Sequence, residues 1–406
     1  MSATAPAPID ALCMACEDET CDFKPMRFQR RALGPLDIEI AMKFCGVCHS
    51  DLHTAASHIK GVGRTTEYPC TPGHELAGVC VAVGQHVSKF KVGDHVGVGC
   101  LIDSCHTCAA CLAGEEQKCP KSVGTYNSVD HSGRAAQLPL GRRTIGGYSN
   151  KMVVHERFGI LIPSEYPLEK AGPVLCSGIT MFDPLKKYGA TKGTRVGVVG
   201  LGGLGVMGIK LAKALGCTVT AISRSPAKQA LADHSGATSF VASADAKLMA
   251  ASASSLDLIL NTIPAHHDWA AYQPLLARGG KHVILGANAT MGAAMYAPKL
   301  RVFSTPSVVH SMIGGVANTQ ECIDLCAREK IYPETQVVPV QQLNEVYSKL
   351  DASNDAGVRY VLDLEGSLNV EAIGTCNAPP PTLGPNTTGL SYGTIIADAL
   401  RIAAFH

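Results

Sequence analysis

Cys105, Cys108, Cys111 and Cys119 stand in the pattern C-x2-C-x2-C-x7-C, and no other feature restricts the fold of this chain more. Four thiolates can converge on one tetrahedral ion at about 2.3 Å when the loops between them are this short. The residues among them, Gly114, Glu115, Glu116 and Lys118, offer no apolar core in which four thiols would serve merely as filling. A site closed by four thiolates keeps no open coordination position, so this one is read as a structural zinc that holds a lobe together and does no chemistry. Cys100, five residues earlier, is read as a non-ligand. The chain has 17 cysteines in 406 residues. In so long a chain they suggest metal ligands and buried thiols rather than the disulfide framework of a small secreted domain.

A single core stops growing at about 250–300 residues, so two domains with a cleft between them are expected. No stretch approaches the length of a membrane span. The 35 basic residues nearly cancel the 34 acidic ones, for a net charge of +1. No global field therefore exists to hold nucleic acid or an anionic membrane, and small-molecule partners are favoured. The N-terminus, MSATAPAPID, has neither a basic n-region nor an apolar h-region. A reducing, cytoplasmic location is the expectation, with organelle import left open.

From Phe44 to about Ile162 the chain is rich in glycine and in short alternating runs such as Gly78 to Val83 and His95 to Val98, the texture of an irregular β-rich domain. After about Met181 it changes. Apolar runs at Arg195 to Val199, Val219 to Ile222, Leu256 to Leu260 and His282 to Leu285 are separated by helix-like segments such as Val206 to Leu215. Strands alternating with helices imply a parallel, doubly wound sheet, so the fold class is α/β beside a β-rich domain. Val337 to Leu364 returns to short β-like runs that can rejoin the first domain, and a tail follows with an apolar stretch at Ile395 to Ala404 that suits one helix.

A second metal site is suggested by scattered residues. Cys48 lies in Cys48-His49-Ser50-Asp51-Leu52-His53, His74 in Pro72-Gly73-His74-Glu75, and Cys176 at the seam between the two inferred domains. A catalytic zinc needs about three ligands of mixed thiolate and imidazole type and one open position, which these three can supply. Taken singly, each is equally a buried thiol or a satisfied core histidine. Ser50 and His53 stand at a spacing that allows a hydroxyl-to-imidazole proton path, and Asp51 can accept from the His74 ring and orient it.

The strand-like Arg195 to Val199 enters Gly200-Leu201-Gly202-Gly203-Leu204-Gly205, and a helix-like stretch follows. In that context Gly200 makes the turn, Gly202 admits a pyrophosphate, and Gly205 lets helix and strand pack closely. The next apolar run ends in Ser223-Arg224-Ser225, with Lys228 nearby, about twenty residues beyond the loop. An acid there would hold the ribose diol of NAD. Hydroxyls and a guanidinium suit the 2′-phosphate of NADP(H) instead.

Together these motifs resemble the zinc-containing medium-chain dehydrogenase/reductase family, most closely its cinnamyl-alcohol-dehydrogenase-like branch. The resemblance covers roughly residues 25 to 365 and includes Gly146-Gly147-Tyr148 and Cys176-Ser177-Gly178 besides the motifs above. It implies a chaperonin-like (GroES-like) β-rich catalytic domain at 1–180 with its zinc lobe at 100–119. A Rossmann cofactor domain at 181–335, a return to the catalytic domain at 336–365 and an extension at 366–406 complete the expected order. It implies two zinc ions per chain, NADP(H), an aldehyde or alcohol as substrate, and a homodimer formed through the cofactor domains. Cys48, His74 and Cys176 would hold the catalytic zinc, with Glu75 a carboxylate that can exchange with water at the metal and Ser50 with His53 the proton relay. Ser311, Ile313 and Gly314 match the segment along the nicotinamide, Arg359 matches a pyrophosphate contact, and His49 is placed among the cofactor-binding residues.

The expected activity is that of an NADPH-preferring alcohol dehydrogenase interconverting aldehydes and primary, including allylic or aromatic, alcohols. The alternatives are a secondary-alcohol or polyol dehydrogenase of the same fold and a non-catalytic zinc-binding protein. Some positions depart from the family pattern. Residues 137 to 143 look inserted close to the expected substrate pocket. Gly124 falls where lignin-pathway members place a tryptophan, which argues against strict cinnamyl specificity. Cys13, Cys16 and Cys21 lack a fourth cysteine nearby in sequence and read as bystanders rather than a third metal site.

Overall fold

The computed structural model describes residues 7–58, 66–130, 143–265, 267–285, 307–352 and 358–369. Residues 137–142 of the inserted-looking segment and the tail from 370 onward, with the apolar stretch 395–404, lie outside the described residues.

One sheet organises the first half. Its strands run, in spatial order, Thr335–Pro339, Arg359–Asp363, Asp37–Gly46, Leu76–Val83, His95–Val98 and Ile160–Leu161. The ten-residue strand Asp37–Gly46 shares one edge between two partners: Lys151–His155 pairs with its first half, and Arg359–Asp363 with its last three residues. Register shifts against Leu76–Val83, between Glu39 and Ile40 and between Met42 and Phe44, mark bulges that bend the strand and sharpen its twist. Inward side chains such as Ile38, Ile40, Leu76, Val96 and Leu362 are fully buried and form the core of this domain. The hairpin Ile9–Ala15 and Lys24–Arg30 caps it, and a two-stranded ribbon, Leu101–Asp103 with Val123–Gly124, flanks the cysteine lobe.

The second sheet is wholly parallel, in the order Ser239–Ala242, Thr218–Ser223, Arg195–Val199, Leu256–Asn261, Leu276–Ile284 and Val308–His310. Val196 and Val198 have no exposed surface, as expected of a central strand covered on both faces by helices. Helix Gly203–Ala214 supplies Met207, Ile209, Leu211 and Ala212 to that core. The chain leaves the first strand of this sheet, Arg195–Val199, between two neighbours reached by connections in opposite directions. Ligands bind doubly wound sheets at that switch point.

Val337 to Leu364, read from the sequence as a return to short β-like runs, contains a helix at Leu343–Ala352. Leu343, Val346, Tyr347 and Leu350 are its buried residues, spaced at i, i+3, i+4 and i+7, the signature of one apolar helical stripe. The strand Arg359–Asp363 ends there, and Leu364 opens a short helix capped by the Asp363 side chain. Among the described residues, no helix is long and apolar enough to cross a membrane.

Candidate active site

Helix His49–Ala55 begins beside the first sheet, with Cys48 at its N-cap in extended conformation. Asp51, with no exposed surface, accepts from the Cys48 amide at 2.9 Å and thereby satisfies the helix start. The same carboxylate accepts from the Gly73 amide at 3.2 Å and the Tyr148 hydroxyl at 3.0 Å, and it lies 2.8 Å from Nδ1 of His74. An acceptor at Nδ1 fixes the imidazole with its proton there and leaves Nε2 free to ligate. Nε2 is turned to the Cys176 sulfur, 3.1 Å away. Gly73 has φ +103°, and a Cβ there would meet Tyr148 Cδ1 at 2.7 Å, so only glycine brings His74 past this point.

Cys176 arrives from the other side. Helix Leu168–Pro173 widens into a π-helical turn over Val174–Gly178, all five residues buried, before the helix resumes at Ile179. Such turns re-aim one side chain within a helix, here the Cys176 sulfur. Ligand atoms of Cys48, His74, Glu75 and Cys176 all lie within 4.8 Å of one another. A hydrogen bond from Cys176, against the cost of burial, and the positive charge of Arg359 hold the Cys48 thiol well below its usual range. Glu75 is buried with both oxygens lacking any hydrogen-bond partner. Burial pushes its carboxyl up to about 7 against the pull of Arg359, whose Nε stands 3.6 Å from it. Two cysteine sulfurs, an imidazole and an orphaned carboxylate form a donor set that fits a zinc ion.

Cys105, Cys108, Cys111 and Cys119 form the second such group. Their sulfurs are 3.8 Å apart for Cys105 and Cys111 and 3.5 Å for Cys108 and Cys111, close to the edge of a tetrahedron with ligands at about 2.3 Å. Backbone amides of Thr107 and Cys108 draw the Cys105 thiol down to about 5, as a thiolate ligand requires. The lobe is tied down by Glu116, which pairs with Arg157 at 2.9 Å and accepts from the Val316 amide at 3.1 Å.

At the second sheet, Gly200 has φ +90° and follows the first strand directly. A Cβ on Gly205 would stand 1.9 Å from the Gly200 carbonyl, so helix and strand close only around glycine, whereas a Cβ on Gly202 would meet nothing within 4 Å. Gly202 therefore borders open space at the N-terminus of the helix that Gly203, Leu204 and Gly205 begin, the setting for an anion. Ser223 ends the next strand, Arg224 and Ser225 are exposed beyond it, and Lys228 closes the short turn that Ser225 caps. Ser311, half-buried, extends the edge of the sheet by donating from its amide to the Ile284 carbonyl at 3.2 Å. Ile313 and Gly314 border a small cavity with Cys100 and Leu175.

The structure thus gathers Cys48, Asp51, His74, Glu75 and Cys176 at one point. Ser50, exposed, and His53, half-buried, stand one turn apart on helix His49–Ala55. The His49 ring faces the Leu350 carbonyl at 3.0 Å, and Arg359 donates to the Val47 carbonyl at 3.0 Å beside Glu75. The sequence reading missed Tyr126 and did not place Cys100, which it read only as a non-ligand of the lobe, beside this site. The Cys100 thiol hydrogen-bonds Cys176, which lowers it below its usual range, and the Tyr126 ring lies 5.7 Å from the His74 ring. Neither carries a spacing signal, because each reaches the site only through folding. Cys16 likewise gains a partner remote in sequence, exchanging backbone hydrogen bonds with Cys70 at 3.0 and 2.8 Å.

A cysteine–imidazole donor set in the β-rich domain, whose Cys176 turn packs against the helix that follows the glycine loop of a dinucleotide-type sheet, defines a zinc-dependent dehydrogenase. Residues 34–164 match the alcohol dehydrogenase GroES-like domain, and residues 203–328 match the zinc-binding dehydrogenase domain. The chain belongs to the zinc-dependent medium-chain dehydrogenase family, in its cinnamyl-alcohol-dehydrogenase-like branch, and is an oxidoreductase of alcohols and aldehydes. It is 40% identical to probable cinnamyl alcohol dehydrogenase 3 of Oryza sativa subsp. japonica over 373 residues, 91% of this chain and 98% of that one. It is 43% identical to aldehyde reductase YahK of Escherichia coli K12 over 345 residues, 84% and 94% of the two chains. The crystal structure of CAD from Helicobacter pylori complexed with NADP(H) superposes with a TM-score of 0.77 at 37% identity, covering 88% of this chain and 99% of the other.

Proposed function

We propose that this chain is a zinc-dependent, NADPH-preferring alcohol dehydrogenase that interconverts aldehydes and primary alcohols. When bound, zinc supplies Lewis acidity toward the substrate oxygen and the nicotinamide supplies the hydride. Cys48, His74 and Cys176 would hold the metal, Asp51 keeps the His74 tautomer, and Glu75 offers a carboxylate beside it. Ser50 and His53 carry the proton between the substrate oxygen and solvent. Gly200, Gly202, Gly203, Leu204 and Gly205 cradle the pyrophosphate within reach of the helix N-terminus. Arg359 steadies Glu75 and is a candidate contact for the pyrophosphate. His49, Ser311, Ile313 and Gly314 line the remaining course of the cofactor. We further propose a homodimer formed through the cofactor domains, and a reducing, cytoplasmic setting in keeping with the 16 free cysteines among the described residues.

The observation that carries the cofactor preference is the turn Ser223-Arg224-Ser225 with Lys228, at the end of the strand next to the glycine loop. It presents hydroxyls and a guanidinium and no carboxylate. Hydrogen bonds to a charged group contribute about 1.5–3 kcal/mol each, so two contacts to a 2′-phosphate give a preference on the order of a hundredfold or more in kcat/KM. Measuring kcat/KM for NADPH and NADH with one aldehyde, in wild type and Arg224→Ala, tests this. Equal efficiency with both cofactors in the wild type would sink the assignment. A preference unchanged in Arg224→Ala would transfer it to Ser223, Ser225 and Lys228. A panel of aliphatic, benzylic and cinnamyl aldehydes measures the breadth that Gly124 leads us to expect.

A further inference from the structure

Cys16 and Cys21, in the turn of the hairpin Ile9–Ala15 and Lys24–Arg30, meet Cys70, and none of the three takes part in a zinc site. Cys16 has no exposed surface, Cys70 only 3% and Cys21 9%. Cys16 and Cys70 face each other as an isolated antiparallel bridge and exchange both backbone hydrogen bonds, at 3.0 and 2.8 Å. Residues opposed in this way stand about 5.5 Å apart at their Cα atoms, a separation that a disulfide spans without backbone movement. The Cys16 sulfur is turned across the bridge, 3.6 Å from the Cys70 carbonyl. The three thiols form a hydrogen-bonded row, Cys21 to Cys16 and Cys16 to Cys70. They are not gathered as a metal cage: among the described residues, the sets of three or more donor atoms within 4.8 Å of one another are those of the two zinc sites. Despite the hydrogen bond from Cys21, the bond to Cys70 and burial push the Cys16 thiol up to about 12, so the row is held as thiols and not as thiolate ligands.

The row ends in the segment that leads to the catalytic centre. Upstream of Cys70, the Tyr68 hydroxyl donates to the Ala55 carbonyl at 2.6 Å, at the end of helix His49–Ala55. Downstream, the Thr71 and Pro72 carbonyls accept from the Gly146 and Tyr148 amides at 2.8 and 3.0 Å, and His74 follows. At the other end, Cys21 sits at φ +57° behind the exposed residues 17–20. We propose that this row is a redox-modification site: hydroperoxides oxidise it to a Cys16–Cys70 disulfide that clamps the segment leading to His74, with Cys21 as the thiol of entry. The Cys21 sulfur attacks the peroxide O–O bond, releasing an alcohol, or water from hydrogen peroxide, and becomes a sulfenic acid. Cys16 displaces water from it to form Cys16–Cys21, and Cys70 then displaces Cys21 from Cys16. Two thiols lose two electrons and two protons in all, and the hydroperoxide, ROOH, leaves as ROH and water. Buried thiols of raised pKa react slowly, so the row stays reduced in a reducing setting and closes under sustained oxidant. The disulfide fits the backbone as it stands and bolts the chain to the hairpin four residues before His74. Local opening of that segment, through which the catalytic zinc escapes, then becomes rarer.

The test treats zinc-loaded wild type, Cys16→Ser, Cys21→Ala and Cys70→Ala with hydrogen peroxide, alkylates the remaining thiols after denaturation, and maps disulfides by peptide mass spectrometry before and after a phosphine reductant. Zinc content is followed alongside. Wild type is expected to lose two alkylatable thiols and about 2 Da per chain, to yield a Cys16–Cys70 peptide pair that the reductant reopens, and to keep both zinc ions. Cys21→Ala should form the same pair severalfold more slowly, and Cys70→Ala should stop at Cys16–Cys21. Challenged with a chelator, oxidised wild type should release its catalytic zinc severalfold more slowly than the reduced protein, a difference absent in Cys16→Ser. The mapping and the chelator challenge need wild type alone, so the proposal stays exposed even where a variant fails to fold. Cys16 and Cys70 still fully alkylated when the zinc ligands have begun to oxidise overturns it. So does Cys16–Cys21 as the final product in wild type, or equal zinc release from the oxidised and reduced forms.

Discussion

Replacing Asp51 with asparagine should strip zinc from the catalytic site while sparing the cysteine lobe. In the native site each carboxylate oxygen faces two donors: Oδ1 meets His74 Nδ1 and the Gly73 amide, and Oδ2 meets the Cys48 amide and the Tyr148 hydroxyl. An amide keeps only one acceptor oxygen. If that oxygen stays with His74, the NH2 group faces the Cys48 amide head-on, and only the Tyr148 hydroxyl can turn to accept. One charge-assisted bond is then lost and three more become neutral, a change from about 1.5–3 to about 0.5–1.5 kcal/mol each, so the sum is about 4.5–7.5 kcal/mol, borne where Cys48 and His74 are aimed. Losing such an orienting partner typically costs about 10–100-fold in metal affinity. Competition with a chromogenic chelator should therefore show one zinc leaving about 10–100-fold more readily, with the second unaffected and kcat falling in step. An Asp51→Asn enzyme that keeps both zincs at wild-type affinity, with unchanged kcat, would refute the claim that this carboxylate holds the ligands in place.

Cys108→Ala should reduce zinc from two ions per chain to one and quicken proteolysis between residues 105 and 119. Because Glu116 binds the Val316 amide just beyond Ser311, Ile313 and Gly314, it should also raise KM for NADPH, and an unchanged zinc content would exclude the lobe as a metal site. His282 predicts an acid-side loss of stability. Burial lowers it from 6.5 to about 4, with Asn261 and Gln273 against its two ring nitrogens. The native state holds this ring neutral, so its contribution is full above about pH 6.5 and drains away as pH falls toward 4, by about 3 kcal/mol in all. Denaturant titrations at stepped pH should show that slope in wild type and a shallower one in His282→Gln, and equal slopes would rule His282 out.

What was legible in the sequence was whatever the chain states within a few residues. The cysteine lobe closes on successive ligands at most eight positions apart, and the glycine loop announces itself through one strand, one turn and one helix. Both are short-range constraints, in which spacing is nearly geometry. The helix Leu343–Ala352 was equally short-range and was still missed. Its apolar residues alternate along the sequence with charged ones such as Glu345 and Lys349, which lie on its exposed face, and the valines on either side of it suggested strand.

The catalytic centre is another kind of object. Cys48 and His74 are 26 residues apart and Cys176 another 102, and nothing in those separations says that the three sulfur and nitrogen atoms meet. The meeting is made by features with no spacing of their own: the left-handed Gly73, the π-helical turn that aims Cys176, and a buried Asp51 that reads equally well as a helix cap. The same holds for the residues that surround it. Arg359 joins Glu75 only because the strand Arg359–Asp363 returns to pair with Cys45 and Gly46, and that return places a guanidinium against an otherwise unpartnered carboxylate. A buried carboxylate of this kind would destabilise the metal-free domain unless a cation stood near it, and the structure supplies one permanent cation and a donor set for a second. Cys100 and Tyr126 show the remaining gap. They approach the site beside the Leu101–Asp103 and Val123–Gly124 ribbon, whose register no local pattern encodes, so the immediate surroundings of the Cys176 and His74 donors are the part of this enzyme that only folding makes readable.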